Sequence, residues 1–203
     1  MLITGIRSKP VYAPLQPDLA GRYHVMVGHG VGAAPLSRLL GEFGHARPEA
    51  LRHTRVWYVA DATAPLVGAD AFQAEQLAEL RTFNDIDALL ADLTAALDQA
   101  LMGTRLYVAG PESFMGLVMR IAHQFNLSSD EVRAEECGTM ARRVHCIHCR
   151  QTIENVRTNI VECSCGRWLV VRDHYSRRLA AYMGVMVDAE APGERPEIKE
   201  VFL

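Results

Sequence analysis

Four of the five cysteines form two close pairs in the last third of the chain, Cys146 with Cys149 and Cys163 with Cys165. A Cys-x-x-Cys turn presents two thiolates on one side of a tight loop. A second cysteine pair that ends in a glycine can supply the other half of a tetrahedral sulfur site. The spacing therefore predicts one metal site with these four cysteines as ligands, in a small module that the metal holds together.

The second cysteine pair departs from the usual ribbon turn. Such a turn has two residues between its cysteines, whereas a single residue separates Cys163 from Cys165. Either this turn is strained, or His145, His148 or Cys137 replaces one ligand. We favour the four cysteines and predict structural zinc, because an all-cysteine site is closed. Iron, an iron–sulfur cluster and unliganded redox-active thiols remain as alternatives.

Length and composition bound the fold and the partners. The chain has 203 residues, 49% of them hydrophobic, which is enough for two domains with ordinary cores. The net charge is −3 and the basic residues are dispersed, so we expect no nucleic-acid partner. No apolar run approaches the ~20 residues that span a bilayer, and the amino end lacks signal-peptide features. We therefore expect a cytoplasmic protein with reduced cysteines and no membrane partner.

Residues 23–137 predict an α/β fold, because short β-branched runs alternate with longer Ala- and Leu-rich segments. The predicted strands are His24 to Val27, Arg55 to Ala60, Arg81 to Phe83, Arg105 to Ala109 and Glu131 to Ala134. The predicted helices are Pro35 to Phe43, Asp70 to Leu80, Ile86 to Leu101 and Glu112 to Phe125. Each connection is long enough for the crossover that parallel strands require. We expect a parallel sheet with flanking helices.

The character of the sequence changes near Gly138, where the Ala- and Leu-rich helices give way to Cys, His, Arg and short β-like runs. We place a domain boundary there, between an α/β domain in residues 1–138 and a small zinc-ribbon-like β domain in residues 139–203. Ile160 to Val161 and Trp168 to Val171 are strand candidates of the second domain. Prolines predict an extended lead-in over residues 1–22 and an irregular arm over residues 191–203.

Two glycine-containing turns supply the candidate cofactor-binding residues, which are Gly28, Gly30, Gly32, Gly110 and Pro111. The first turn closes the first predicted strand and opens the first predicted helix, where backbone N–H groups and the helix dipole can meet a phosphate. The second turn lies between a later strand and its helix. The two turns are expected to meet across the switch point of the sheet, where dinucleotides bind in folds of this kind.

These turns resemble those of the pyridine-nucleotide domain of the ferredoxin reductase family, which read Gly-Gly-x-Gly-x-Thr-Pro and Cys-Gly-Pro followed by an aromatic residue and Met. The matching residues are Gly30, Gly32, Pro35, Gly110, Pro111, Phe114 and Met115. His29, Ala34 and Ala109 depart from the pattern and remove a polar contact and a thiol. The resemblance implies NADPH as a cofactor. Either the turns bind NADPH or another anion, or they serve a retained but inactive fold.

Reductases of that family also carry a flavin-binding barrel ahead of the nucleotide domain. Here some 22 residues precede the first predicted strand, so we expect no hydride acceptor in this chain.

The segment from Arg172 to Tyr182 is dense in charged, aromatic and His side chains. One interpretation is an ion-paired surface whose tyrosines pack on the ribbon, and another is a docking face, since Tyr and Arg are favoured at interface centres. Asp173 beside His174 invites a catalytic interpretation, but no nucleophile with recognisable spacing supports it.

The chain as a whole resembles the family of small subunits of bacterial dimethylamine monooxygenase, the DmmA-like family. The resemblance rests on the α/β domain, the Cys-x-His-Cys and Cys-x-Cys-Gly turns, and the segment Val-Arg-Asp-His-Tyr-Ser-Arg-Arg-Leu. It implies an NADPH- and O2-dependent enzyme of several subunits that demethylates dimethylamine to methylamine and formaldehyde.

Flavin or iron–sulfur reductase chains and oxygenase chains would then be the partners. We expect this chain to be a zinc-stabilised structural or regulatory subunit. The alternatives are an NADPH-binding electron-transfer component and a stand-alone zinc-ribbon interaction protein.

Overall fold

The computed structural model describes residues 8–61, 72, 76–194 and 196–203. The chain forms two compact units, each with its own sheet and core. Residues 12–138 form the α/β unit, and residues 139–203 together with residues 8–11 form what we term the cysteine unit. Within the described residues, no helix is both long enough and apolar enough to cross a membrane.

In the described part of the α/β unit, five parallel strands lie in the order β3-β2-β1-β4-β5. Their bounds are β1 Tyr23–His29, β2 Thr54–Val59, β3 Glu79–Phe83, β4 Thr104–Gly110 and β5 Val132–Glu136. The central strands β1 and β4 are almost continuously apolar, because helices cover both faces of the sheet. The predicted α/β fold class with a parallel sheet is confirmed.

Among the described residues, three α-helices flank this sheet: α1 Ala33–Ala46, α2 Ile86–Asp98 and α3 Glu112–Gln124. On one face, leucines of α2 and apolar residues of α3 pack on the sheet, and on the other face α1 packs with a short 3-10 helix, Pro48–His53. The side chain of Asp85 caps α2 by accepting a hydrogen bond from the Ala88 N–H at 2.8 Å. Pro111 directly precedes α3, where its missing N–H costs nothing.

The region before α2 differs from the sequence prediction. Residues 70, 71 and 73–75 of the predicted helix from Asp70 to Leu80 lie outside the described residues, and its last two residues, Glu79 and Leu80, belong to β3. Strand β3 pairs with β2 over five residues, and this pairing overrides the helical propensity of Ala, Glu and Leu.

The cysteine unit is built on a second five-stranded sheet, in the order β7-β6-β10-β9-β8. Its strands are β6 Arg142–Cys146, β7 Thr152–Val156, β8 Ile160–Glu162, β9 Trp168–Ser176 and β10 Ala181–Met186. Strand β10 runs parallel to β6, whereas the other pairs are antiparallel. The strands predicted around Ile160 and Trp168 are present as β8 and the start of β9.

A buried arginine organises the core of this unit. The guanidinium of Arg142 lies between two aromatic rings, 3.9 Å from the centroid of Tyr182 and 3.8 Å from that of Phe202. It also forms an ion pair with Asp173 at 2.6 Å. This stacking attaches the segment around Phe202 to β6.

The carboxyl-terminal arm was predicted to be irregular. None of its described residues belongs to strands β6 to β10, but hydrogen bonds hold its last part. Asn159 makes three hydrogen bonds with the arm. Its N–H donates to the carbonyl of Lys199, its Oδ1 accepts the N–H of Lys199, and its Nδ2 donates to the carbonyl of Glu197. The N–H groups of Val201 and Phe202 both donate to the carbonyl of Arg157. The last part of the arm is therefore attached to residues 157–159, which connect β7 with β8.

Candidate functional site

The four predicted ligands converge in the cysteine unit. The Sγ atoms of Cys146, Cys149, Cys163 and Cys165 all lie within 4.8 Å of one another. The Cys149–Cys163 distance is 3.4 Å and the Cys146–Cys165 distance is 3.9 Å. Four sulfurs bound to zinc at about 2.3 Å are about 3.8 Å apart, so these thiols fit a tetrahedral ion.

Both cysteine turns close in the same way, although one is a residue shorter. Arg150 follows Cys149 with φ 65° and donates its N–H to the Cys146 carbonyl, and Gly166 follows Cys165 with φ 79° and donates to the Cys163 carbonyl. In each turn, a residue in the left-handed conformation after the second cysteine thus reverses the direction of the chain. The short Cys-x-Cys turn therefore needs no substitute ligand.

The three residues considered as substitute ligands are engaged elsewhere. His145 faces away from the cluster on β6 and contacts Thr152 Oγ1 at 3.3 Å, and His148 Nε2 accepts the N–H of Met186 at 3.3 Å. Cys137 belongs to the α/β unit, where burial raises the pKa of its thiol to about 11. Among the described residues, the candidate metal group consists of the four cysteines alone.

Contacts at the cluster shift the pKa values of two of its thiols in opposite directions. The backbone N–H and the side chain of Arg167 hydrogen-bond to Cys165 and lower the pKa of its thiol to about 6. A backbone hydrogen bond at Gln151 lowers the pKa of the Cys149 thiol, but burial and hydrogen bonds with the other three cysteines outweigh it and raise this pKa to about 12.

Cys146 and Cys163 are buried, and they pack with Leu169 in an apolar cluster that shields the sulfurs from water. A metal held here would have only protein ligands. Its role would be structural, because it would link the turn after β6 to the turn between β8 and β9.

The two glycine turns of the α/β unit meet as expected, at the carboxyl ends of adjacent strands β1 and β4. Gly32 lies so close to β4 that an added Cβ would stand 2.2 Å from the carbonyl oxygen of Ala109. Gly28 and Gly110 end or nearly end their strands, and Pro111 begins the turn into α3. The structure thus brings all five predicted cofactor-binding residues to one edge of the sheet.

Polar groups of β2 close the first turn from the side. Tyr58 donates its hydroxyl to the Gly30 carbonyl at 2.7 Å, and an added Cβ at Gly30 would stand 3.0 Å from Asp61 Cβ. The ring of His29 lies 5.6 Å from that of Phe114. Burial lowers the pKa of His29, and the nearby Asp61 carboxylate opposes this shift. Sequence reasoning missed Tyr58 and Asp61, since only the pairing of β1 with β2 places them at the loop.

The charges at this edge can be compared with those that NADPH requires. An NADP site places an arginine after β2 for the 2′-phosphate, but the sequence contains no Lys or Arg between Arg55 and Arg81. Asp61 follows β2, and the buried Glu112 opens α3 beside the second turn. Carboxyl groups here would repel phosphates. The residues present therefore do not fit NADPH.

The segment from Arg172 to Tyr182 forms most of a β-hairpin. Tyr175 and Tyr182 are buried with their rings 5.1 Å apart, as the packing interpretation expected. Asp173 pairs with Arg142 rather than with an arginine of its own segment. Alternation along β6 could have predicted this inward arginine, because Val144 and Cys146 on the same face are buried.

Comparison with known proteins identifies the family. Residues 4–132 match the family described as dimethylamine monooxygenase subunit DmmA-like, N-terminal domain. The chain belongs to the DmmA-like family. Residues 143–185 match the C-terminal domain of the same DmmA-like subunits, so the match includes all four cysteines. The family resemblance seen in the sequence is confirmed.

Among proteins related to this DmmA-like chain is the heme-dependent oxidative N-demethylase delta subunit of Ectopseudomonas mendocina (strain ymp). It is 33% identical over 114 residues, which are 56% of this chain and 65% of that subunit. The chain thus spans slightly less than two thirds of this relative's length.

Solved structures similar to the DmmA-like chain include two reductases. The ferredoxin reductase in carbazole 1,9a-dioxygenase has a TM-score of 0.49 and 15% identity, covering 61% of this chain and 40% of that chain. The Amycolatopsis cytochrome P450 reductase GcoB has a TM-score of 0.44 and 18% identity, covering 59% of this chain and 38% of that chain. In both, the match spans less than half of the solved chain.

Proposed function

We propose that this chain is a non-catalytic accessory subunit of an NADPH- and O2-dependent oxidative N-demethylase that acts on dimethylamine. Its role is to hold or regulate the reductase and oxygenase subunits. The observation that carries this proposal is the closed set of four cysteine sulfurs. Since protein ligands complete the coordination sphere, a metal here stabilises the fold and leaves no position for oxygen or substrate.

We infer from the chemistry of the ligands that the metal is zinc. Four thiolates with tetrahedral spacing suit zinc, which has no redox chemistry of its own. Zinc would also compensate for the small core of the cysteine unit, whose main apolar cluster contains six buried residues. The acidic edge of the α/β unit supports the accessory role, because it offers NADPH no cationic partner.

The test is reconstitution of the complex from purified subunits, with formaldehyde release from dimethylamine and NADPH as the readout. We expect the complete complex to be active and to contain this chain in fixed stoichiometry. The isolated chain should contain one zinc ion, no flavin and no iron, and it should not oxidise NADPH. NADPH oxidation by the isolated chain with an artificial electron acceptor would contradict an accessory role.

A second candidate is a nucleotide-binding electron-transfer component of the same enzyme. The observation that favours it is the meeting of the two glycine turns at the switch point of the sheet. Titration of the chain with NADPH and NADH, alone and within the complex, separates the two candidates. Because Asp61 suits a ribose hydroxyl better than a 2′-phosphate, this second function would show tighter binding of NADH than of NADPH.

A further inference from the structure

The hairpin between β9 and β10 presents two adjacent arginines at its tip. Four residues, Arg177 to Ala180, connect Ser176 with its cross-strand partner Ala181. Arg177 and Arg178 are exposed, and among the described residues neither forms an ion pair. The tip therefore offers two guanidinium groups to a partner.

Several contacts fix the backbone of this tip. The Ser176 hydroxyl accepts the Leu179 N–H at 3.3 Å, and the Arg177 carbonyl accepts the Ala180 N–H at 3.4 Å. Ala180 adopts the left-handed conformation with φ 49°, which is uncommon for a residue with a Cβ. Arg143 donates to the Ala180 carbonyl at 3.0 Å. An ordered tip loses little backbone entropy when it binds.

The base of the hairpin is equally well fixed. The Tyr175 and Tyr182 rings pack edge to face beneath the tip, and the Arg142 guanidinium stacks on Tyr182. These buried contacts make the hairpin a rigid projection rather than a loop that must order on binding.

The cysteine unit carries an excess of positive charge around this projection. Residues 139–187 contain eight arginines and three carboxylates. Two of the carboxylates, Glu154 and Asp173, are already paired with Arg143 and Arg142. Among the described groups of this segment, only Glu162 remains to balance the other six arginines. Across residues 139–203 the excess is smaller, ten basic residues against eight carboxylates, so the positive charge is concentrated in residues 139–187.

We propose that the hairpin tip binds a carboxylate-rich protein surface on another subunit of the oxidative N-demethylase. This inference rests on the proposed accessory function. Guanidinium groups form bidentate contacts with carboxylates and are enriched at interface centres. A protein surface suits this site better than nucleic acid, because the tip offers two adjacent guanidinium groups, whereas nucleic-acid binding depends on a longer row of phosphate contacts.

The first experiment measures binding of the full chain to the purified complex from which this subunit is missing. We expect the charge reversal Arg177→Glu with Arg178→Glu to weaken binding about hundredfold. The matched control, Arg22→Glu with Arg52→Glu, makes the same change in net charge on exposed residues of the α/β unit and should bind like wild type. Circular dichroism and metal content verify that each variant is folded.

The outcomes separate the two proposals. If the wild-type chain does not bind the complex at all, the accessory function itself fails. If the wild type binds and the hairpin reversal binds equally well, the hairpin inference is wrong while the accessory function stands. Equal weakening by both double variants would show that net charge matters and the tip does not, which also overturns the inference.

A second experiment identifies the chemistry of the partner. The double variant Arg177→Lys with Arg178→Lys keeps the charge and introduces amines that a carbodiimide joins to carboxylates in direct contact. We expect mass spectrometry to find amide cross-links from these lysines to Asp or Glu residues of a partner subunit. Binding that nuclease treatment abolishes, with no cross-link, would indicate a nucleic-acid ligand and refute the proposal.

Discussion

His24 should make the stability of the α/β unit depend on pH. Its side chain is 1% exposed, and its Nε2 atom is buried without a hydrogen-bond partner among the described residues. Burial, followed by repulsion from Arg47, lowers the pKa of His24 from 6.5 to about 4. The folded protein therefore keeps this imidazole neutral, while the unfolded chain binds a proton below pH 6.5.

The direction and size of this pH effect follow from the linkage between proton binding and folding. The stabilisation is fully present above pH 6.5 and is lost as the pH falls from 6.5 towards 4. The whole shift corresponds to about 3 kcal/mol, and the step from pH 7 to pH 5 costs about 2 kcal/mol in the free energy of unfolding.

The assay is urea unfolding at pH 7 and pH 5, followed by tryptophan fluorescence. Replacing Trp168 with Phe leaves Trp57, which is buried in the α/β unit, as the reporter. We compare this protein with the same protein carrying His24→Leu, whose non-titrating side chain should remove about 2 kcal/mol of the pH-dependent loss. The reasoning is refuted if both proteins lose the same free energy, within about 0.5 kcal/mol, between the two pH values.

Further predictions concern both units. In the Trp168→Phe protein, Cys165→Ser should release the metal and expose the cysteine unit to proteolysis, while Trp57 fluorescence reports an intact α/β unit. Arg142→Ala removes both ring contacts and should destabilise the cysteine unit by about 2–4 kcal/mol, with faster hydrogen exchange at the Phe202 amide. Gly32→Ala should cost the α/β unit more than about 3 kcal/mol in urea unfolding, because the added Cβ meets a carbonyl oxygen. Gly41→Ala, a control facing open space in α1, should instead stabilise by about 0.5–1 kcal/mol. Unchanged exchange, or equal effects of the two glycine variants, would contradict these expectations.

The cysteine cluster could be predicted from spacing, because ligand chemistry and turn geometry are both local. When each of two tight turns carries two cysteines, the simplest structure that uses all four is one in which they bind a common ion. The parallel sheet was also predictable, since strands and helices alternate with crossover-length connections. The metal-binding assignment itself stays a prediction.

What the sequence could not supply depended on contacts between distant segments. Glu79 and Leu80 form a strand, despite their local helical preference, because β3 pairs with β2. The fastening of Phe202 depends on Arg142, sixty residues earlier. Likewise, Asp61 reaches the glycine loop only because β2 lies beside β1. Periodicity and motif spacing do not carry such information.

Metal analysis combined with X-ray absorption at the metal edge, on the anaerobically purified full chain, tests the central claim most directly. We expect one zinc ion per chain with four sulfur ligands at about 2.3 Å, and loss of the ion in a Cys146→Ser, Cys149→Ser variant. Iron with sulfide and a visible absorption band would contradict the account, because the cysteine unit would then carry electrons rather than serve as a structural support.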